Sequence, residues 1–432
     1  MGGVFDLTHS PILDHVPNAS ALTGSESTEG SEVQGAPEST QESTQEGNQT
    51  EAQIGATAWH YGNPLTEQSR INDDKPGLVD FWDRVAIRIS GPERRDWLNN
   101  LISQKVNAIA PGQATFGLIL DVKGHVEHFF GILATDDALI LDTPATHADA
   151  LEDYLRKMVF WSQVTVERLP WARLTVIGTD LVADSSLSLN DATSPAALPD
   201  QLKIDISDDL DLQLWRFGTI GEMQTLDLWV SRDNFVDTWD QLTDVATPAG
   251  RMAYDAFRIQ ARLPILGVDT DERAIPHEVP AFIGRGISGA TQLDDVTAGP
   301  TEAAVHLNKG CYRGQETVSR VHNLGKSPRV LVLLHLDGSA NRLPKVGADL
   351  TAGGRAIGRV GSSVHDCDYG PVALALLKRN VVEKVASKNS DVPPLLADGI
   401  DASIDPSDLA TAAGDDSIRP GRAAINRLRG RN

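Results

Sequence analysis

Val85-Ala86-Ile87-Arg88-Ile89-Ser90-Gly91-Pro92 alternates apolar and polar side chains and then stops at a Gly-Pro turn, the pattern of a half-buried strand. Glu93 to Ser103 follows with Trp97, Leu98, Leu101 and Ile102 at helical spacing. Further on, Thr115 to Asp121 and Val126 to Ala134 flank Lys123-Gly124 and read as a hairpin. Ala148 to Met158 reads as a helix and Val164 to Arg168 as a strand. Strands and helices that alternate over such short distances, with hairpins between them, predict an α+β sandwich rather than a doubly wound parallel sheet.

Working outward, Leu212 to Phe217 and Thr225 to Ser231 read as strands, and Asn234 to Ala246 and Ala253 to Ala261 as helices. The Ser-rich stretch Ala183 to Asp200 predicts a surface loop, and Ile283 to Ala304 is Gly-rich and irregular. Short β segments follow at Val330 to Leu336, Asp349 to Thr351, Ala356 to Ser362 and Val372 to Leu377. Turns at Asp337-Gly338, Gly353-Gly354 and Tyr369-Gly370-Pro371 separate them, which predicts a small all-β barrel over 326–382. The main α+β region then occupies 56–325. Residues 1–55 and 383–432 are rich in Ser, Thr, Glu, Pro, Asp and Ala, and are expected to be disordered tails.

The chain has 432 residues, enough for two or three packed units, with 41% hydrophobic and 23% charged residues. Its net charge of −22 argues against nucleic acid as a main partner, because grip on a phosphate backbone comes from clustered Lys and Arg. No run is long and apolar enough for a membrane span and no secretory leader is visible at Met1 to Asp6, so a cytoplasmic monomer is expected. Two cysteines, Cys311 and Cys367, fit a reducing compartment and cannot hold an iron–sulfur cluster that needs about four thiolates.

Lys309-Gly310-Cys311-Tyr312-Arg313-Gly314-Gln315-Glu316 carries the densest chemistry. Lys309 and Arg313 each lie two residues from Cys311, and neighbouring cations lower a thiol's pKa. Gly310 and Gly314 permit tight backbone and close approach by a ligand, while Gln315 and Glu316 add an amide and a carboxylate. A cysteine taken alone is more often a small buried hydrophobe than a reagent. Cys367 stands between Asp366 and Asp368, whose charges raise a thiol's pKa, so Cys311 is expected to be the reactive one. His125 and His128, three apart in an expected strand, point to opposite faces, and no metal site is expected.

That octapeptide resembles the signature of the YgfZ family of folate-binding proteins, relatives of the aminomethyltransferase of glycine cleavage. Arg258-Ile259-Gln260-Ala261-Arg262-Leu263-Pro264 with Gly267 and Asp269 is similar to the family's Arg-Ile-Glu-Ala-Gly-x-Pro segment. Ile275-Pro276-His277-Glu278, Ser90-Gly91-Pro92-Glu93, Pro111-Gly112-Gln113 and Leu120-Asp121-Val122-Lys123-Gly124 extend the likeness over about residues 78 to 380. The resemblance implies a three-part ring of two α+β (ferredoxin-like) units and a C-terminal β-barrel around a pocket for tetrahydrofolate or a related folate. It also implies support of iron–sulfur assembly or repair, with iron–sulfur client or assembly proteins as partners. Cys311 and Lys309 then carry the chemistry, and Tyr254, Gln260, Arg258, Glu127, Tyr312, Arg313, Gln315 and Glu316 become candidate folate contacts.

Two departures bear on activity. Aminomethyltransferases carry Gly-Gly-Ile-x-Asp-Asp where this chain reads Lys123-Gly124-His125-Val126-Glu127-His128, so the aspartate pair is lost and Glu127 alone keeps a carboxylate nearby. Gln260 replaces the glutamate of the central segment and keeps hydrogen bonding without the charge. Both argue for a folate-binding accessory protein over a one-carbon transferase, with a scaffold whose pocket has decayed as a third reading. Tyr254 stands where some relatives have a tryptophan that packs on folate; a core tyrosine fits the same position equally well.

Overall fold

The computed structural model describes residues 6–22, 56–73, 75–182, 192–193, 198, 202–206, 210–284, 303–323, 326–387 and 392–414. The chain opens with a single helical turn, α1 (Ile12–His15), and a short strand β1 (Ser20–Ala21) paired with β2 (Ala58–His60). Helix α2 (Pro64–Asn72) starts at Asn63, whose side chain accepts from the Thr66 N–H, with Pro64 at the first helical position. It leads into β3 (Gly77–Phe81) and β4 (Arg84–Ser90), the strand that alternation predicted.

Helix α3 (Arg94–Leu101), the hairpin β5 (Ala114–Leu120) and β6 (Val126–Ala134), then β7 (Ala138–Pro144), α4 (Ala145–Lys157) and β8 (Thr165–Leu169) complete the first unit. Its five-stranded sheet has the order β5-β6-β7-β4-β8 and is antiparallel in every pairing. One face packs Ile87, Phe130, Ile132 and Leu141 against Trp97 and Leu98 of α3 and Leu151 and Leu155 of α4.

The second unit contains β9 (Trp171–Gly178), β10 (Ala192–Thr193), β11 (Leu212–Ile220), β12 (Met223–Ser231), α5 (Phe235–Leu242), β13 (Thr247–Pro248) and α6 (Arg251–Gln260). Its sheet runs β10-β11-β12-β9-β3-β13, so β3 crosses over from the start of the chain. Phe235, Trp239 and Leu242 of α5, with Ile12 of α1, cover one face; Ile71 of α2 and Ala253 and Phe257 of α6 cover the other. Leu133 and Ile140 of the first sheet meet Leu214 and Trp229 of the second in a buried apolar joint.

The last unit follows α7 (Gln315–Asn323): β14 (Arg329–Leu336), β15 (Asp349–Ala352), β16 (Arg355–Asp366), β17 (Gly370–Lys378), α8 (Arg379–Ala386), β18 (Leu395–Ala397), β19 (Ile400–Ile404) and α9 (Pro406–Gly414). The barrel closes in the order β14-β17-β16-β15-β18-β19.

Parts of both segments expected to be tails are structured, and their bounds need correction. The barrel does not end at residue 382, because β18 and β19 come from the segment read as a disordered tail and supply two of its six staves. Leu395, Ala397, Ile400 and Ile404 point into the barrel core, and Asp398-Gly399, both at positive φ, make the tight turn between the strands. At the other end, Ile12 is wholly buried, the Trp82 Nε1 donates to the Asp6 carbonyl at 2.7 Å, and the Ser10 N–H donates to the Ala56 carbonyl at 2.8 Å. Pro, Ser and Asp hid these short apolar anchors in a composition that reads as solvated. The loop expected over Ala183 to Asp200 and the irregular stretch from Ile283 to Ala304 lie largely outside the described residues.

Candidate functional site

The 309–316 loop is bolted to the end of α3. Lys309 is buried, and its Nζ donates to the carbonyls of Asn99 at 2.5 Å, Ile102 at 2.6 Å and Gln104 at 3.0 Å. The last carbonyls of a helix have no partner within it, and an ammonium offers three N–H donors, so the match is complete. The Tyr312 ring lies 5.0 Å from Nζ and adds a cation–π contact. Burial pushes the Lys309 ammonium down to about 7, against three carbonyls that favour its charged form. Lys309 therefore directs its charge to α3, not to the thiol two residues away as sequence adjacency suggested.

Cys311 itself is exposed. Arg313 reaches across to Glu127 of β6 at 3.1 Å, both side chains 37% exposed, so these two candidate contacts engage each other. Gln315 Nε2 donates back to the Lys309 carbonyl at 3.3 Å, and Glu316 stands exposed in the first turn of α7, where a carboxylate favours the helix dipole. Gly314 is at φ +80°, and a Cβ there would come within 2.7 Å of the Asp121 carbonyl. Thr317 Oγ1 donates to the Lys123 carbonyl at 2.7 Å, which seats the loop on the β5–β6 turn.

A cavity of about 250 Å³ opens among the first two sheets, α6 and the 280–284 turn. Phe81, Phe116, Phe129, Phe282 and Tyr254 give it aromatic walls, and Arg84, Arg173, Arg216, Arg251 and Arg258 give it cations. Of the expected folate contacts, Tyr254 and Arg258 line it. Glu127, Gln260, Tyr312, Arg313, Gln315 and Glu316 are not on its described wall, and neither are Cys311 and Lys309. Tyr312 is buried in the same apolar cluster as Phe116, Phe129 and Phe282 of that wall. Gln260 donates instead to Asp366 of the barrel, a short contact that turns its amide away. The expectation of a folate-edge contact from Gln260 is corrected accordingly.

Tyr254 meets the Phe81 ring edge-on at 4.8 Å, and the guanidiniums of Arg173 and Arg251 lie over that ring at 4.1 and 4.2 Å. Arg258 is fully engaged: Nε donates to Asp255 at 2.9 Å, Nη1 to Asp269 at 3.0 Å and Nη2 to Ser362 at 2.9 Å, tying α6 to the barrel.

Sequence reasoning missed the charged cluster at the bottom of the wall. Asp142 of β7 takes Arg84 at 2.6 Å and Arg173 at 3.0 Å, and Asp227 of β12 takes Arg216 Nε at 3.0 Å and Thr175 Oγ1 at 2.8 Å. Burial raises both carboxyls, and the surrounding guanidiniums outweigh it, so both sit below the ordinary carboxylate range. The signal was present in the strands: Leu139-Ile140-Leu141-Asp142 and Leu226-Asp227-Leu228 each place one charge in an apolar run. A buried charge is kept only with a partner, so such an interruption marks a site or an ion pair.

His125 Nδ1 bonds Asp121 at 3.0 Å, and burial pushes the His128 imidazole down to about 4. Cys367 has its thiol pushed up to about 11, by burial first and then by Asp368 and Asp366. Asp366, Cys367 and Asp368 could between them hold a cation, but Asp366 already accepts from Gln260 and from the N–H groups of Asp368 and Tyr369.

The chain is similar to an aminomethyltransferase of Streptomyces coelicolor, 26% identical over 73% of this chain and 81% of the relative. It is also similar to a protein of Klebsiella pneumoniae named tRNA-modifying protein YgfZ, 27% identical over 63% of this chain and 75% of the relative. Among solved structures, the glycine cleavage system aminomethyltransferase T of Bartonella henselae superposes with a TM-score of 0.61 over 80% of this chain and 89% of its own, at 18% identity, a likeness of fold. The model of the GCVT N-terminal domain matches residues 57–281, just over half of the sequence, and the chain belongs to that family.

Proposed function

We propose that this protein binds a tetrahydrofolate-class ligand in the aromatic cavity and supports iron–sulfur enzymes through the exposed thiol of Cys311. The observation that carries the reading is the placement of that thiol. An exposed cysteine sits on a loop clamped by Lys309, and the next residue, Tyr312, packs in the cluster that supplies part of the cavity wall. Ligand binding against Phe116, Phe129 and Phe282 would press on the same cluster and so on the loop. In this reading Cys311 serves as a transient ligand or redox thiolate, because two cysteines cannot cage a cluster. The likeness to a relative named tRNA-modifying protein YgfZ agrees with the family resemblance on which the accessory role rests. The protein would act as a monomer in the cytoplasm with iron–sulfur client or assembly proteins as partners; among the described residues no helix is long and apolar enough to cross a membrane.

One-carbon transfer is the second reading, favoured by the aminomethyltransferase relatives. Against it, Glu127, the one carboxylate that remains of the aspartate pair, is paired with Arg313 and is not among the residues lining the cavity. The test is complementation: Cys311→Ala expressed in cells lacking the protein should leave iron–sulfur enzyme activities at the level of the deletion. Full rescue removes the role of Cys311. Formation of methylenetetrahydrofolate by the purified protein from an aminomethyl-loaded carrier would instead select the transferase.

A further inference from the structure

Three guanidinium nitrogens of residues lining the cavity are buried without a hydrogen bond, Nε of Arg173 and of Arg251 and Nη1 of Arg216, and only the last is a terminal nitrogen at the tip of its side chain. Arg216 of β11 is 7% exposed. Its Nε and Nη2 serve Asp227, and Nη2 also lies 3.5 Å from Asp142 Oδ2. Its Nη1 is buried and makes no hydrogen bond, although the residue lines the cavity. The guanidinium lies 5.5 Å from the centre of the Phe116 ring, another wall residue. Gly131 of β6 keeps the space beside Nη1 open, since a Cβ there would stand 2.6 Å from that nitrogen.

Leaving a buried N–H unanswered is costly, and native structures rarely do so without a function for it. The local charge points the same way. Arg84, Arg173 and Arg216 stand against Asp142 and Asp227, one positive charge in excess in a site largely removed from water. A charge-assisted bond to an oxygen acceptor satisfies the nitrogen, and an acceptor that carries negative charge balances the surplus.

We infer that Arg216 is a ligand-recognition residue whose Nη1 donates to an acceptor oxygen of a planar, carboxylate-bearing molecule in the cavity. The inference rests on the folate reading for its choice of probe. On a folate two kinds of oxygen qualify, the glutamate carboxylates and the ring carbonyl, and the charge surplus ranks the carboxylate first. Phe116, Phe129 and Tyr254 supply the faces for a flat ring, while Asp142 and Asp227 hold the guanidiniums in place.

The experiment is calorimetric titration of the full chain with folinic acid, with p-aminobenzoylglutamate (carboxylates without the pterin) and with 6-methylpterin (ring carbonyl without carboxylates). Wild type is compared with Arg216→Gln and Gly131→Ala. Arg216→Gln leaves two arginines against two aspartates, so the cluster stays balanced. Gly131→Ala keeps every charge and pushes a methyl group against Nη1, which serves if the first variant does not fold. Folinic acid should bind both variants at least roughly tenfold more weakly, the loss expected of one charge-assisted bond. The fragment that shares the loss identifies the oxygen. Equal affinity of wild type and Gly131→Ala for folinic acid overturns the role of Arg216 and leaves the folate reading standing. Binding of a fragment through Arg216 with no binding of folinic acid does the reverse. No binding of any of the three to wild type overturns both.

Discussion

Lys309 shows how far the partners of a side chain can lie from its neighbours in sequence. Adjacency put a cation beside Cys311, and adjacency alone suggested thiolate activation. The side chain turns instead to carbonyls more than two hundred positions earlier, a direction that no local pattern carries. Lys309→Met keeps the length and removes every donor to the carbonyls of Asn99, Ile102 and Gln104. We expect it to lower stability by ~1–3 kcal/mol, read from urea unfolding, with Tyr312 losing its cation as well. The pH dependence has a definite sign. Folded Lys309 is pushed down to about 7 from 10.5, so the unfolded chain binds more protons between those values. Stability from this group therefore rises with pH through that window. The gap between wild type and Lys309→Met should widen from pH 7 toward pH 10, and a gap that stays flat over that range would show the carbonyls, not burial, in control of the proton.

At the level of elements, strands with clean alternation were legible and short ones in polar surroundings were not. The β5–β6 hairpin, α3 and β14 follow from periodicity. By contrast, β18 and β19 have three and five residues, set among Pro, Asp and Ser, and become strands only because the open barrel supplies edges to pair with. Leu334 pairs with Ile404, and Leu350 with Ala397. The same segment answers an oddity of the family-like stretch. Arg262 occupies the place of a glycine and has φ 54°, a left-handed conformation that costs a side chain energy. Asp405 at 2.8 Å and Asp408 at 3.2 Å hold its guanidinium there, so a supposed tail fixes the end of α6 beside the cavity. A chain ending at residue 390 should lose both strands, bare two sheet edges and drop four buried apolar side chains worth ~1.5–3 kcal/mol each. That sum reaches the whole of a normal folding free energy. Size-exclusion chromatography should show aggregation; a monomer with unchanged melting temperature would refute the closed barrel.

Across the whole molecule, charge is the term that sequence alone sized and the structure distributed. The net −22 is a sum of self-repulsions that compaction makes worse, and salt shortens their reach from ~10 Å at 0.1 M to ~3 Å at 1 M. Salt also weakens exposed pairs such as Arg313–Glu127, but each of those contributes only ~0–1 kcal/mol. The arginine–aspartate cluster under the cavity is buried and escapes most of the screening, so the site should keep its geometry while the surface relaxes. Relief of repulsion therefore outweighs the loss of surface pairs, and the melting temperature should climb by several degrees, about 2–4 °C for each kcal/mol gained, between 0.05 and ~1 M sodium chloride. Choline chloride separates this from specific sodium binding: screening raises stability equally with either cation, whereas a rise with sodium alone would place the effect at a cation site. A melting temperature that falls with salt would mean that surface ion pairs, and not the acidic surplus, dominate the electrostatics of this fold.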